Sequence, residues 1–275
     1  SGYCPRNFKN KYFGPVSLAD ALKNSLNTVA VQLLDKVGFD AVISTARSLG
    51  ITRPLGRYYP LAIGAYEQTV LEMAGAYAAI TNRGVYVPPT PFMSISGSNG
   101  QVIWSRQSNG AKSTRAVDSD TADAMSWMLQ RVVSGGTGVA ASVEDRPVAG
   151  KTGTSEGGRD LWFIGSIPQL TTAVWLGYDD NREQKGSSGD AAWAWRQFMI
   201  PVVKDMPVQQ FPPKPVLKRN FKAPAGAFMP PDPEAIKNFE GLDAPPPIAG
   251  GFAPAPAPGP APGVGRITLT PGRTV

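Results

Sequence analysis

Three short apolar runs between residues 148 and 178 constrain the fold of this chain more than any other feature. The first, Val148-Ala149, leads into Gly150-Lys-Thr-Gly-Thr154, and the other two, residues 161–167 and 170–178, are separated only by Pro168-Gln169. Apolar, β-branched and aromatic runs joined by such a short turn are typical of neighbouring antiparallel strands. We therefore predict an α/β (α+β) fold in which an antiparallel sheet is flanked by helices.

The first of these strands carries the side chains that are most suited to catalysis or substrate binding. Lys151 is followed by the hydroxyls of Thr152 and Thr154, and the glycines around it allow another backbone to come close. This arrangement favours chemistry on an acyl group. The alternative is a surface strand whose lysine only protects a sheet edge.

A phosphate-binding P-loop is excluded as an interpretation of the same residues. That motif needs G-x-x-x-x-G-K-[ST] between a strand and a helix, and Asp145 occupies the position of its first glycine. The residues after Lys151 are predicted as turn and strand instead of a helix.

Composition removes several classes of function. The 275 residues include no histidine and a single cysteine, Cys4, so histidine-dependent triads, metal sites of histidine or clustered cysteine, and an internal disulfide are excluded. The net charge is +6, but the basic residues are dispersed and no basic patch with interleaved aromatics indicates nucleic-acid binding. No apolar run approaches the roughly 20 residues that span a bilayer. We expect no cofactor or metal, and any membrane anchor outside this chain.

Helical patterns dominate the region before the predicted sheet. Capping residues and apolar spacing predict helices that begin at Ser17, soon after Asn27, at Asp40, at Thr69, at Ser119 or Asp120, and near Ala191. The stretch 24–27 interrupts the first two with residues that prefer loops and caps. An Asn99-Gly100 turn between apolar runs predicts a β-hairpin within residues 92–104.

The composition changes abruptly near Lys204. More than half of the 27 prolines lie beyond this point, and residues 252–265 are almost entirely Ala, Pro and Gly. Such a segment buries too little apolar area to offset its chain entropy. We therefore predict a domain over residues 1–203 and a largely disordered tail over residues 204–275.

Two separated motifs gain weight from their order. Ser25-Leu-Asn27 and Lys151-Thr-Gly153 match S-x-N and K-[ST]-G, two of the three elements of serine acyl-transfer enzymes that react with penicillin. From Tyr12 to about Val203 the chain resembles the transpeptidase domain of class A, bifunctional penicillin-binding proteins. Further stretches that carry this resemblance are 14–18, 67–74, 135–138, 159–165 and 174–180.

The resemblance implies a penicillin-binding protein/β-lactamase-like transpeptidase fold that is incomplete in this chain. No serine is followed by lysine three positions later, so the S-x-x-K motif with the nucleophile is absent. We expect that serine to lie upstream, and this polypeptide alone to be inactive.

The resemblance also implies roles for individual residues. Ser25 would relay a proton to the leaving group, Asn27 would orient the substrate amide, and Lys151 would supply a positive field. A substrate-binding set would follow on the same strand: Thr152, Gly153 and Thr154. The threonine hydroxyls would bind the terminal carboxylate, and the Thr154 N–H would be one oxyanion-hole donor.

The function implied is a peptidoglycan D,D-transpeptidase that cross-links stem peptides ending in D-Ala-D-Ala and binds β-lactams. Its other partner would be the upstream part of the same protein, held by an N-terminal anchor at the extracytoplasmic face of the bacterial cytoplasmic membrane. A D,D-carboxypeptidase, a β-lactamase or a β-lactam sensor of the same fold is the nearest alternative. A non-catalytic cell-wall scaffold with a Pro-rich interaction tail is an alternative of another class.

Overall fold

A computed structural model describes residue 3 and residues 5–216, and most of the predicted tail lies outside these residues. Within the described part, seven α-helices precede, separate and follow the strands: α1 Leu18–Lys23, α2 Asn27–Val37, α3 Phe39–Ser48, α4 Val70–Thr81, α5 Arg106–Asn109, α6 Ser119–Gly135 and α7 Ser188–Val203. The strands are β1 Val85–Tyr86, β2 Ser94–Ser96, β3 Val102–Ser105, β4 Thr114–Arg115, β5 Ala149–Thr154, β6 Asp160–Ile167 and β7 Leu170–Gly177.

The predicted antiparallel sheet is confirmed as the three strands β5, β6 and β7, in that order. Lys151 lies opposite Ile164, and Thr152 lies opposite Phe163. Successive side chains of a strand point to opposite faces of the sheet, so Lys151 and Thr152 lie on different faces. Directly opposed residues share a face, so Ile164 lies on the face of Lys151 and Phe163 on that of Thr152.

Each face of the sheet packs against helices. One face packs on α7, where Phe163, Leu161 and Trp195 are almost completely buried in the larger core cluster. The other face carries Ala149, which packs with Leu129 of α6 and with partly buried residues of α1 and α4. The lysine of β5 therefore lies on the side of α1, α4 and α6.

Most of the predicted helix starts are confirmed, and two are corrected. Ser17 and Thr69 cap α1 and α4 as predicted, the latter with a complete capping box to Glu72. The cap of α6 is Asp118 instead of Ser119 or Asp120. Asp40 does not cap α3, because the helix already begins at Phe39 after a glycine with φ +89°.

The predicted hairpin is confirmed as β2 and β3, which pair in antiparallel register. Gly100 closes its turn with φ +78°, a conformation that glycine adopts without a steric penalty.

The first part of the predicted tail contacts the domain. Phe211 is only 8% exposed and packs with Leu129 and Ala149. The guanidinium of Arg146 donates hydrogen bonds to the carbonyls of Val203, Met206 and Pro207, so it holds the chain where α7 ends. Packing against the domain thus extends beyond the predicted boundary at Lys204, and residues 217–275 lie outside the described part.

Within the residues that the structure describes, no helix combines the length and the hydropathy of a membrane-spanning segment.

Candidate active site

The predicted catalytic lysine and serine meet across the fold. Lys151 Nζ lies 2.7 Å from Ser25 Oγ and donates a hydrogen bond to it, although 126 positions separate the two residues. A second hydrogen bond, of 2.9 Å, runs from Lys151 Nζ to the carbonyl of Thr152. The lysine is thereby fixed by one contact to the helical side and one to its own strand.

Ser25 occupies a sharp turn between α1 and α2. Its φ of +55° is uncommon for a residue other than glycine, and such conformations persist where the surrounding structure enforces them. The turn is closed by hydrogen bonds from Ser25 N to the carbonyl of Leu22 and from Leu26 N to that of Ala21. This backbone directs the serine hydroxyl towards β5.

The environment of Lys151 disfavours its charge. Partial burial lowers the pKa of Lys151 to about 8, because the ammonium loses hydration. A lysine with a pKa near the working pH exchanges a proton readily, a property typical of acid–base groups in active sites.

Asn27, the third residue of S-x-N, is the first residue of α2. Its Nδ2 donates a 2.9 Å hydrogen bond to the carbonyl of Arg6, which fixes the plane of the amide. Asn27 therefore lies two positions after Ser25 at the start of α2, and its side-chain amide is hydrogen-bonded to the N-terminal segment.

Thr152 and Thr154 occupy different environments on β5. Thr152 is buried, and its hydroxyl lies 2.7 Å from that of Thr137, a residue just beyond α6. Thr154 ends the strand and is exposed. Both side chains lie on the opposite face from Lys151, so they approach the lysine only around the outer edge of β5.

The two glycines of the motif leave space for different reasons. A Cβ on Gly150 would lie 2.5 Å from Phe163 Cζ, so this glycine allows β5 and β6 to pack. A Cβ on Gly153 would lie 3.2 Å from Trp162 Cβ and would project from the face that carries Lys151. Gly153 therefore leaves the surface beside Lys151 free of a side chain.

Two residues of the site were missed by sequence reasoning. Thr137 belongs to the Gly135–Gly138 stretch, whose resemblance to the family was the available signal. Its backbone N–H also donates to the carbonyl of Lys23, next to the Ser25 turn. Asn7 accepts hydrogen bonds from Thr28 at the start of α2, and only the lack of a capping side chain at Leu26 hinted that a remote residue is needed.

Among the described residues, no group of three or more cysteine, aspartate or glutamate side chains comes together in a way that could hold a metal.

Known proteins are similar to this chain over most of the part that the structure describes. The family described as the penicillin binding protein transpeptidase domain matches residues 5–199. The chain is 37% identical over 220 residues to penicillin-binding protein 1A of Aquifex aeolicus, which covers 78% of this chain and 30% of that protein. It is 34% identical over 194 residues to penicillin-binding protein 1B of Vibrio cholerae, covering 69% of this chain and 25% of that protein.

Solved structures show the same relationship. The structure of PonA1 from Mycobacterium tuberculosis in complex with penicillin V superimposes with a TM-score of 0.68 at 26% identity, covering 75% of this chain and 61% of that one. The chain thus spans about a third or less of the curated relatives described above. The family match covers most of the described residues and includes both motifs of the site. The chain belongs to the penicillin-binding protein transpeptidase family and is a homologue of the class A penicillin-binding proteins 1A and 1B.

Proposed function

We propose that the intact protein is a serine-type D,D-transpeptidase of peptidoglycan synthesis, and that this chain supplies its proton-transfer and substrate-binding groups. The observation that carries the proposal is the 2.7 Å hydrogen bond from Lys151 Nζ to Ser25 Oγ. In this role the intact protein takes the acyl group of a stem peptide ending in D-Ala-D-Ala and passes it to an amine of a neighbouring stem. β-Lactams acylate the same nucleophile.

The direction of the hydrogen bond supports a proton relay. Because the ammonium of Lys151 donates to Ser25 Oγ, the hydroxyl hydrogen of Ser25 can be donated to a group in the cleft. Ser25 delivers a proton to the departing D-Ala amine and regains one from Lys151. The positive charge of the lysine also attracts the substrate carboxylate in a partly desolvated site.

The outer edge of β5 supports the proposed oxyanion hole. The N–H and C=O of one residue in an antiparallel strand point to the same side, and that side alternates along the chain. The Thr152 carbonyl accepts a hydrogen bond from Lys151 Nζ, so it points to the outer edge of β5, and the Thr154 N–H is expected on the same edge. This N–H is one of two donors to the developing oxyanion. The hydroxyls of Thr152 and Thr154 bind the terminal carboxylate.

The remaining parts of the site are proposed to lie outside this chain. The S-x-x-K serine and lysine belong to an upstream segment of the same protein, which also carries the membrane anchor. Asn27 orients the substrate amide and that missing lysine. The protein acts at the extracytoplasmic face of the bacterial cytoplasmic membrane, where its substrate lies.

The test is labelling with a fluorescent penicillin, applied to the full-length gene product and to this chain alone. We expect the full-length protein to be labelled and this chain alone to remain unlabelled. Lys151→Ala should slow labelling of the full-length protein by about 10²- to 10⁴-fold, the usual contribution of an acid–base group. Lys185→Ala removes an exposed lysine and should label at the wild-type rate.

Other outcomes contradict particular parts of the proposal. No labelling of the full-length protein would exclude penicillin binding and favour a non-catalytic scaffold. Labelling of this chain alone would place the nucleophile within it. Release of D-Ala from a stem peptide without transfer to an added amine would identify a carboxypeptidase, and steady-state hydrolysis of the penicillin would identify a β-lactamase.

A further inference from the structure

The start of α2 lacks a local cap. Its N-cap residue is Leu26, whose side chain offers no acceptor, so the first N–H groups of the helix need a partner from elsewhere. Ser25 and Asn27 flank this residue. The place of both motif side chains therefore depends on how this helix end is held.

Asn7 supplies the missing cap from the N-terminal segment. Its Oδ1 accepts hydrogen bonds from Thr28 N at 3.1 Å and from Thr28 Oγ1 at 3.2 Å. Its Nδ2 donates to the carbonyl of Lys11 at 3.0 Å, which fixes the amide from its other end. Asn7 is only 5% exposed, so these partners replace water almost completely.

The same segment also holds Asn27 directly. The carbonyl of Arg6, the residue before Asn7, accepts the hydrogen bond from Asn27 Nδ2. Asn7 fixes this carbonyl in position because its own side chain is anchored at both ends. The N-terminal segment therefore contacts two successive residues at the start of α2, the Asn27 side chain and Thr28.

We propose that Asn7 is a positioning residue for acyl transfer, which sets the place of Ser25 and Asn27 opposite Lys151. The inference rests on the proposed function, since it gives the S-x-N turn a catalytic role. Asn7 does not touch the substrate. It acts through Asn27 and through the turn that holds Ser25 at φ +55°.

The experiment is the second-order rate of acylation by a fluorescent penicillin, measured on the full-length gene product well below its unfolding temperature. Asn7→Ala should lower this rate about 10- to 100-fold, the loss expected when a group is misplaced by up to about 1 Å. Asn7→Asp keeps an acceptor for Thr28 but loses the donor to the Lys11 carbonyl and adds a charge at a buried position, so it should recover only part of the rate.

Asn24→Ala is the matched control. Asn24 lies beside the same turn, is exposed, and donates from its side chain only to the carbonyl of Asp20 within α1. The Asn24→Ala variant should acylate within about twofold of the wild-type rate, since substitutions at exposed positions without special contacts usually have small effects.

A double-mutant cycle separates positioning from general loss of stability. If Asn7 acts through Asn27, then Asn7→Ala should cost much less in an Asn27→Ala background than in the wild-type protein. Full additivity of the two losses, or a wild-type rate for Asn7→Ala, would overturn the inference. Failure of the wild-type protein to acylate would instead overturn the proposed function.

Discussion

At the scale of single residues, the chemistry proposed for this site depends on Lys151, a half-buried lysine for which the described part of the chain offers no carboxylate partner. Lys151 donates to a hydroxyl and to a carbonyl, both neutral acceptors, so desolvation dominates its titration. Neutral acceptors leave the lysine near the point where it gains or loses its proton. This environment suits a relay that passes a proton through Ser25.

The first prediction concerns the pH dependence of acylation. With a pKa lowered to about 8, Lys151 is mostly charged at pH 7 and mostly neutral at pH 9. If the cation is the active form, the second-order acylation rate should fall roughly tenfold between these pH values, as the charged fraction does. The measurement is the rate of fluorescent-penicillin labelling of the full-length protein across that range.

The control for this pH profile is Lys185→Ala, which should show the same fall as the wild-type protein. A rate that stays flat or rises between pH 7 and pH 9 would contradict a cationic role. A rising rate would indicate that neutral Lys151 accepts the proton of the nucleophile, and a flat rate would indicate that acylation does not depend on the charge of Lys151.

The sequence predicted which side chains of the candidate site lie together better than it predicted their hydrogen bonds. Ser25 and Lys151 were predicted together because motif order is visible in a sequence, and the structure joins them. The pairing of Thr152 with Thr137 was not visible, because the contact of two hydroxyls depends on the path of the chain after α6. Asn7 was invisible for the same reason, since its partner Thr28 is 21 positions away.

At the scale of the element, β5 has one glycine for packing and one for access. Gly150 faces the ring of Phe163 on the α7 side, and Gly153 lies beside Trp162 on the side of Lys151. The alternation of side chains along a strand gives neighbouring positions different tasks. The sequence predicted close approach at both glycines, but not that Gly150 allows packing against Phe163 while Gly153 leaves space beside Lys151.

The second prediction compares Gly150→Ala with Gly153→Ala. The new Cβ at position 150 would overlap Phe163 at 2.5 Å and also approach the carbonyl of Ile164, so this change should lower the free energy of unfolding by about 1–3 kcal/mol. At position 153 the nearest atom would be 3.2 Å away, and we expect a loss below about 1 kcal/mol. Urea unfolding of the full-length protein, followed by tryptophan fluorescence, measures both.

Activity should rank the two variants in the opposite order. Gly153→Ala places a methyl group beside Lys151 and should slow acylation even where the protein is fully folded. Gly150→Ala, when folded, should acylate faster than Gly153→Ala. Equal stability losses, or a faster rate for Gly153→Ala, would contradict the division of tasks along β5.

At the scale of the whole described part, one site is assembled from three distant parts of the sequence. The N-terminal segment holds the start of α2, the stretch after α6 contacts both Lys23 and Thr152, and β5 carries the lysine. The helical side and the sheet therefore meet at the site itself. Patterns along the sequence predicted most of the longer helices and the three-stranded sheet, but the contacts that join these parts at the site are made over long separations in the sequence.

The segment after α7 makes a further long-range contact with the domain. Phe211 fills the cluster formed by Leu129 and Ala149, the residue two positions before Lys151 on the same face of β5. Composition predicted a tail here because prolines surround this position, yet one large aromatic suffices to anchor an extended segment. This anchor covers the lysine-bearing face at the base of the site.

The last prediction tests this anchor through Phe211→Ala. Phe211 is 8% exposed, and truncating a buried phenylalanine loses its transfer free energy and leaves a cavity, so the free energy of unfolding should fall by about 2–4 kcal/mol. Val216→Ala, in the same segment but 87% exposed, should change it by less than about 0.5 kcal/mol. Urea unfolding of the full-length protein measures both, and equal effects of the two variants would contradict the anchor. Because Phe211 packs under β5 and not on the reacting groups, folded Phe211→Ala should keep an acylation rate close to that of the wild-type protein.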